Sequence, residues 1–291
     1  MKKFINNLTQ SLESVIKIFV VSKWRNNFKI DESAKNEKCI ILGNGPSFSQ
    51  SFEKYERELL ENDTVCVNTF ATSKYFDVIQ PKYCVTVAKI IFIPFDSIPK
   101  EYQIIQSDIF RAIQEKVTWK MYMIVPFIAK KSKEFQTLLS QNKNVLPIYF
   151  NTTGLEGFNF FTHFLFNRKL GMPRPHNVLI PSIMNMIHLN YKEIYIIGAD
   201  HSWLGEISVN EQNEALVRHR HFYSEDNPKP QKMMDYIKRP RRLHEILNKF
   251  YLTFRGYWEI QAYADTRNVK IYNCSEESMI DAFERKKLSD M

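Results

Sequence analysis

Glycine is scarce in this chain, with 8 in 291 residues. A backbone that uses glycine so sparingly keeps it for tight turns and close approaches, so each position is worth locating. The four cysteines, Cys39, Cys66, Cys84 and Cys274, form no Cys-x-x-Cys pair, which argues against a structural zinc site. Three of them lie in apolar, strand-like runs, and buried thiols in a reducing cytoplasm are the expectation. No run of about 18 apolar residues is present, so nothing is expected to span a membrane. The opening Met1-Lys2-Lys3 has the charge of a secretory signal, but the apolar part, 15–21, is broken by Lys17 and has no small-residue cleavage site. Zinc-finger and RNP-type signatures are also missing, and no nucleic-acid partner is expected.

What is present fits a globular protein. Hydrophobic residues make up 44% and charged residues 25%, ordinary values that exclude a disordered chain. The length suits one large α/β domain with a lid or short appendage. The net charge of +8 suits an anionic partner: nucleotide phosphates, an acidic glycan or a phospholipid surface. Residues 4–24 read as an amphipathic helix, with Ile5, Leu8, Leu12, Val15, Ile16, Phe19 and Val20 at helical spacing and Lys2, Lys3, Lys17, Lys23 and Arg25 beside them. Packing of that apolar face on the core is the first expectation. Peripheral docking on an anionic membrane, at its inner face, is the second.

The expected organisation is a helix in 1–30 followed by a Rossmann-like domain in 31–291. Its mostly parallel sheet is flanked by helices, and a helical or loop lid covers about 201–242. Continuous apolar runs at 39–42, 64–67, 83–87, 121–125, 145–150, 194–197 and 269–273 read as buried strands. Helices are expected at 48–60, 131–139, 177–189, 243–264 and 278–285, and within 151–166. This strand–helix alternation is that of a parallel sheet. The polar, proline-punctuated stretch 202–242, with Pro228, Pro230 and Pro240, reads as a functional lid or mobile loop.

Two landmarks carry chemistry. Gly43-Asn44-Gly45-Pro46-Ser47 follows a buried strand and opens a helix, where backbone amides and the helix dipole attract phosphate. The third glycine of G-x-G-x-x-G is missing, since position 48 is Phe, and the second strand ends in Asn68 rather than an acid. Both departures argue against NAD. The second landmark is a helix running into a strand that ends at Gly198-Ala199-Asp200-His201, on the ligand-bearing edge of an open α/β sheet.

These features together, with Asn190-Tyr191-Lys192-Glu193-Ile194-Tyr195 leading into the strand of the second landmark, resemble two related groups. One is the bacterial lipooligosaccharide sialyltransferases of glycosyltransferase family 42. The other is the flagellin-modifying and 6-hydroxymethylpterin pyrophosphokinase-like family. The resemblance covers roughly 38–68 and 177–200. It implies a glycosyltransferase, sialyltransferase-like, that takes a nucleotide-sugar donor as substrate with no separate cofactor or metal. The acceptor would be a glycan, on a cell-surface polysaccharide or linked to lipid. Donor binding would fall to Gly43, Asn44, Gly45, Pro46, Ser47 and Asn68, with Asp200 and Tyr223 beside them. Asn177 and Ser182 would be either helix caps or further donor contacts.

The chain departs from the sialyltransferases in three places. It has Val87-Ala88-Lys89 where they carry an asparagine, His201-Ser202-Trp203 where they carry an aromatic pair, and Tyr251 where their histidine base would fall. An inverting transferase still needs a base, and histidine suits neutral pH. Of His201, His219, His221 and His244, the first choice is His221, whose neighbours Phe222 and Tyr223 would pack on a sugar; His201 is the second. The basic run Arg239, Arg241 and Arg242 is expected to hold donor phosphate or an acidic acceptor, or to be solvated surface. The rival enzyme class is ATP- and Mg²⁺-dependent pyrophosphoryl transfer to a pterin-like alcohol. A non-catalytic nucleotide- or glycan-binding module is the other alternative.

Overall fold

The computed structural model describes residues 1–24, 37–218, 222, 229–234 and 239–291. Eight strands of the described residues form one parallel sheet: β1 (Lys38–Leu42), β2 (Asp63–Val67), β3 (Tyr83–Val85), β4 (Met121–Pro126), β5 (Val145–Phe150), β6 (Glu193–Ile197), β10 (Lys270–Asn273) and β11 (Glu284–Arg285). Their spatial order is β11-β10-β6-β1-β2-β3-β4-β5. The chain therefore steps outward from β1 to β5, then returns to the other side of β1 with β6. That reversal makes β1 the switch point, where the loops after β1 and β6 part and leave a crevice.

The central strands are apolar along their whole length because both faces are covered. On one face Cys39 and Ile41 of β1 meet α7 (Leu179–His188) and α8 (Leu243–Thr266) through Ile180, Ile183, Tyr257 and Ile260. On the other, Ile40 and Leu42 meet Phe48 and Leu59 of α2 (Phe48–Glu61), with α3 (Phe76–Ile79), α4 (Lys100–Lys116) and α5 (Lys133–Gln141) beyond. The fold is thus α/β and Rossmann-like, with helices on both sides of the sheet, as expected.

Four local expectations change. First, 278–285 is not a helix. The Asn273 side-chain amide donates to the Ser278 hydroxyl at 3.0 Å and to the Ile280 carbonyl at 3.1 Å, drawing the chain back so that β11 pairs with β10. Second, the aromatic helix of 151–166 begins only at α6 (Asn159–Asn167), because the backbone before it is engaged by the N-terminal helix. Third, the expected lid carries a 3-10 turn, Ser202–Glu206, and a small antiparallel sheet of β7 (Ile207–Val209), β8 (Ala215–Val217) and β9 (Gln231–Lys232). Ala215 and Val217 seat that sheet on Ile246 and Phe250 of α8.

The fourth change is in α1 (Lys2–Val21). Its apolar face was expected on the core, but the face turned inward is the small polar one. The Ser14 hydroxyl donates to the Glu156 carbonyl at 2.7 Å and accepts from the Glu156 amide at 2.9 Å. The Ser11 hydroxyl accepts from the Phe158 amide at 3.1 Å. Gly157 (φ +133°) lies so close that a Cβ there would stand 2.2 Å from the Ser11 hydroxyl oxygen. The serines satisfy loop amides that would otherwise be buried without partners, and that requirement fixes which face of α1 turns in. Ile5, Leu8, Leu12, Ile16, Phe19 and Val20 are consequently exposed. Arg25, expected to flank this face, lies outside the described residues.

Candidate functional site

A cleft of about 150 Å³ opens at the carboxyl ends of β1, β2 and β6. Of the residues expected to bind a donor, Gly43, Asn44, Gly45, Pro46, Asn68, Asn177 and Asp200 line it, together with His201.

The glycine turn serves close packing. Gly43 and Gly45 donate their amides to the carbonyls of Ile197 (2.8 Å) and Gly198 (2.7 Å). A Cβ on Gly43 would stand 2.3 Å from the Gly198 oxygen. The Ser47 amide, at the start of α2, donates to Asp200 Oδ2 at 3.0 Å, its hydroxyl donates to Asp200 Oδ1, and the Phe48 amide returns to the Gly45 carbonyl at 3.1 Å. The amides of Gly43, Gly45, Ser47 and Phe48 are therefore already bonded within the protein, and a carboxylate occupies the helix N-terminus. Two expectations need correcting: the turn shapes a wall of the cleft rather than an anion seat, and Ser47 is engaged by Asp200. Burial pushes the Asp200 carboxyl above the usual carboxylate range, with the Ser47 hydrogen bonds opposing the shift and Glu277 adding to it.

Asp200 is braced from behind by the C-terminal segment. The Ala199 amide donates to the Ser275 hydroxyl at 2.9 Å, the Ser278 hydroxyl donates to the Ala199 carbonyl at 2.7 Å, and the Met279 amide donates to the Asp200 carbonyl at 2.9 Å. On the opposite wall, the Asn44 side-chain amide donates to the Val67 carbonyl at 3.3 Å. Asn68 adopts the left-handed backbone (φ +47°) and accepts from the Val87 amide at 3.4 Å.

His201 also has left-handed backbone (φ +53°). Its Nε2 lies 2.5 Å from the Tyr257 hydroxyl and 3.2 Å from Asn177 Nδ2, which also donates to Tyr257, and its ring packs on Trp203 with centroids 4.1 Å apart. Burial holds the imidazole neutral, with its pKa down at about 3. An imidazole whose Nε2 is engaged and whose pKa lies so low is a poor proton acceptor near pH 7. Both features weigh against its expected role as a base. Of the two roles left open for Asn177, the structure shows the helix cap: its Oδ1 accepts from the Ile180 amide at 3.3 Å in the first turn of α7, while its Nδ2 reaches His201 and Tyr257. Ser182 does neither, since it is fully buried and donates to the Val178 carbonyl at 2.8 Å within its own helix.

His221 and Tyr223 lie outside the described residues. Phe222 between them donates its amide to the Asn44 carbonyl at 3.2 Å, and its ring packs on Phe48, Phe70 and Tyr75. Phe222 therefore packs against the core instead of facing a sugar. The arginine run is divided. Arg239 pairs with Glu245 at 2.6 Å, while the Arg242 amide caps α8 by donating to the same carboxylate at 2.7 Å. Neither lines the cleft, and Arg241 faces a second cavity.

Sequence reasoning missed Arg218, Trp203, Glu206 and Tyr257. The first three line the cleft. Arg218 Nε is buried with no hydrogen-bond partner, and Glu206 lies 3.8 Å from its guanidinium. Arg218 directly follows the apolar Leu216-Val217; reading that pair as a strand would have flagged it.

No family model and no curated protein matches the chain. Among solved structures, the MAf glycosyltransferase from Magnetospirillum magneticum AMB-1 is similar, with a TM-score of 0.49 and 10% identity over 99% of this chain. This chain spans 39% of the length of that protein.

Proposed function

We propose that the chain is a glycosyltransferase that moves a sugar from a nucleotide donor to a hydroxyl of a surface polysaccharide or lipid-linked glycan. The observation behind this reading is the chemistry gathered at the switch point: side-chain amides, a carboxyl raised by burial, and an arginine with a buried N–H that lacks an acceptor. Asn44 and Asn68 offer donors and acceptors to a ribose or a base edge, and Trp203 offers a flat apolar face. Nucleotide phosphate satisfies Arg218, so in this reading a side chain takes over what the turn amides were expected to do.

Asp200 is the base. As the acceptor oxygen bonds to the anomeric carbon, its proton passes to the Asp200 carboxylate. The bond from that carbon to the phosphate oxygen breaks, and the nucleotide leaves with the electron pair. Arg218 meets the charge that develops, which makes the scheme metal-independent, and a single displacement inverts the centre. His201 acts as a positioning group through Tyr257 and Asn177.

Thermal-shift measurements with CMP, UDP, GDP and ATP, each with and without EDTA, test the donor half. One nucleotide is expected to stabilise the chain regardless of EDTA, by about 2.7 kcal/mol at a hundredfold excess over Kd, and Arg218→Ala is expected to remove most of that gain. Stabilisation by ATP alone, lost on adding EDTA, would favour pyrophosphoryl transfer and overturn the proposal.

A membrane-bound acceptor fits the outer face of α1. Among the described residues no helix is long and apolar enough to cross a membrane. Phe4 packs on Phe158 (5.3 Å) and Phe158 on Phe160 (5.7 Å), so the exposed face of α1 continues onto α6, where Phe160 and Phe164 are also exposed. Lys2, Lys3, Lys17 and Lys23 border it and complement anionic headgroups. Each such apolar side chain gains about 1.5–3 kcal/mol on full burial. Sedimentation with vesicles is expected to retain the chain on phosphatidylserine-containing bilayers and to release Leu12→Ser/Phe19→Ser without loss of melting temperature. Equal binding of that variant would remove α1 from the account.

A further inference from the structure

A second cavity, of about 990 Å³, lies on the same edge of the sheet and shares Asn177 with the donor cleft. It extends over the carboxyl ends of β4 and β5, with Pro126 and Phe150 in its wall. Five cationic side chains line it: Lys23, Lys131, Arg174, Arg241 and Lys249. They come from five separate places in the chain, so the concentration of charge is a product of the fold and not of a basic run in sequence.

Among the described residues these cations are unmatched. Glu245 is the one carboxylate among the described lining residues, and Arg239 and the Arg242 amide already hold it. No ion pair engages any of the five. Arg241 Nε is buried without a hydrogen-bond partner, a penalty that a ligand acceptor removes. The field is felt by the neighbours. Burial, then Arg174 and Lys249, push His176 in the same cavity down to about 4. Burial and Arg241 lower Lys249. Mutual repulsion of this kind persists in a folded protein when the space is kept for an anion. Between the charges, Phe127 gives apolar surface of the kind on which the C–H face of a sugar ring packs.

We infer that this cavity is the acceptor site, and that the acceptor is an acidic saccharide, bearing carboxylate or phosphate groups on its sugar rings. The inference rests on the glycosyltransferase reading for the word acceptor, but the binding itself can be measured independently. An acidic chain lying against Arg174 and Lys131 reaches Asn177, where the two cavities meet, and brings a hydroxyl toward Asp200.

The test uses the full chain and two uncharged-versus-acidic probe pairs: maltotetraose against tetragalacturonate, and glucose against glucose 6-phosphate, titrated by calorimetry at two salt concentrations. Both acidic probes are expected to bind at least tenfold more tightly than their neutral partners, and to weaken with salt. Arg174→Glu and Lys131→Glu are each expected to weaken them tenfold or more, and the milder Arg174→Gln and Lys131→Gln by less. Lys143→Glu, the same charge change at the opposite end of β5, is expected to leave the affinity alone. Preference for only one acidic pair selects carboxylate or phosphate and supports the inference. Equal affinity for acidic and neutral probes overturns it, as does displacement of tetragalacturonate by a nucleoside diphosphate, which would make the cavity part of the donor site. A chain that binds the acidic probes and no nucleotide loses its donor reading but keeps its acidic-ligand site.

Discussion

Asparagine in place of Asp200 is expected to lower turnover by about 10²–10⁴-fold, the range that general-base catalysis contributes, while nucleotide binding and melting temperature change little. The exchange preserves the local hydrogen bonds. The new side-chain oxygen can still accept from the Ser47 amide, and the new NH₂ can donate to the Ser47 hydroxyl, where Asp200 now accepts from both. The lost charge at the start of α2 costs about 0.3–1 kcal/mol, and relief of the burial that raises the Asp200 carboxyl offsets it. The pH profile separates base from scaffold. The working form is the carboxylate, and it is lost as pH falls through the raised pKa. The acid limb of kcat/KM in the native chain should therefore stand at higher pH than an ordinary aspartate would give, and should vanish in Asp200→Asn. Unchanged turnover in a variant that still binds nucleotide would remove Asp200 from the chemistry.

The second large effect is on stability. Gly43→Ala would place a Cβ 2.3 Å from the Gly198 oxygen, 2.6 Å from its carbonyl carbon and 3.1 Å from the Ala199 nitrogen. All three are backbone atoms, so no side chain can swing aside, and two central loops must separate. Overpacking costs about 1–3 kcal/mol and occasionally more; with backbone on both sides the upper end is expected. For a chain of this size that corresponds to a fall in Tm of very roughly 6–12 °C. Separation of the loops also moves Asp200 away from Ser47, so nucleotide stabilisation should go with it. Gly205→Ala is the control, because nothing lies within 4 Å of its added Cβ. Similar melting temperatures for the two variants in differential scanning calorimetry would contradict the close packing assigned to the turn.

The parts of the fold that could be read from sequence are those fixed by short-range pattern. β1, β2 and β6 are continuous apolar runs because both faces are covered, and the glycines after β1 and β6 mark where their loops meet. The use made of the first turn was not legible, because the partner of the Ser47 amide is Asp200, 153 positions later. The orientation of α1 was hidden for a similar reason. Its apolar stripe was plain, but which face turns inward depends on loop amides at Glu156 and Phe158 that ask for serine hydroxyls. Arg218, Lys131, Arg174 and Lys249 were missed because distant segments bring them together, whereas Arg241 was already singled out in the basic run. The segment 278–285 read as a helix from its local residues, yet two hydrogen bonds from Asn273 place it beside β10.

The brace behind Asp200 also bears on biosynthesis. Ser275, Ser278 and Met279 leave the ribosome some 75 residues after the Asp200 turn. Until that stretch docks, the Ala199 amide and the Ala199 and Asp200 carbonyls lack their partners, and only the Ser47 hydrogen bonds hold the carboxylate. On the proposed chemistry, the base is therefore held from both sides only once this later stretch has docked, and a product stopped short of residue 275 would carry most of the sheet but a carboxylate held by Ser47 alone.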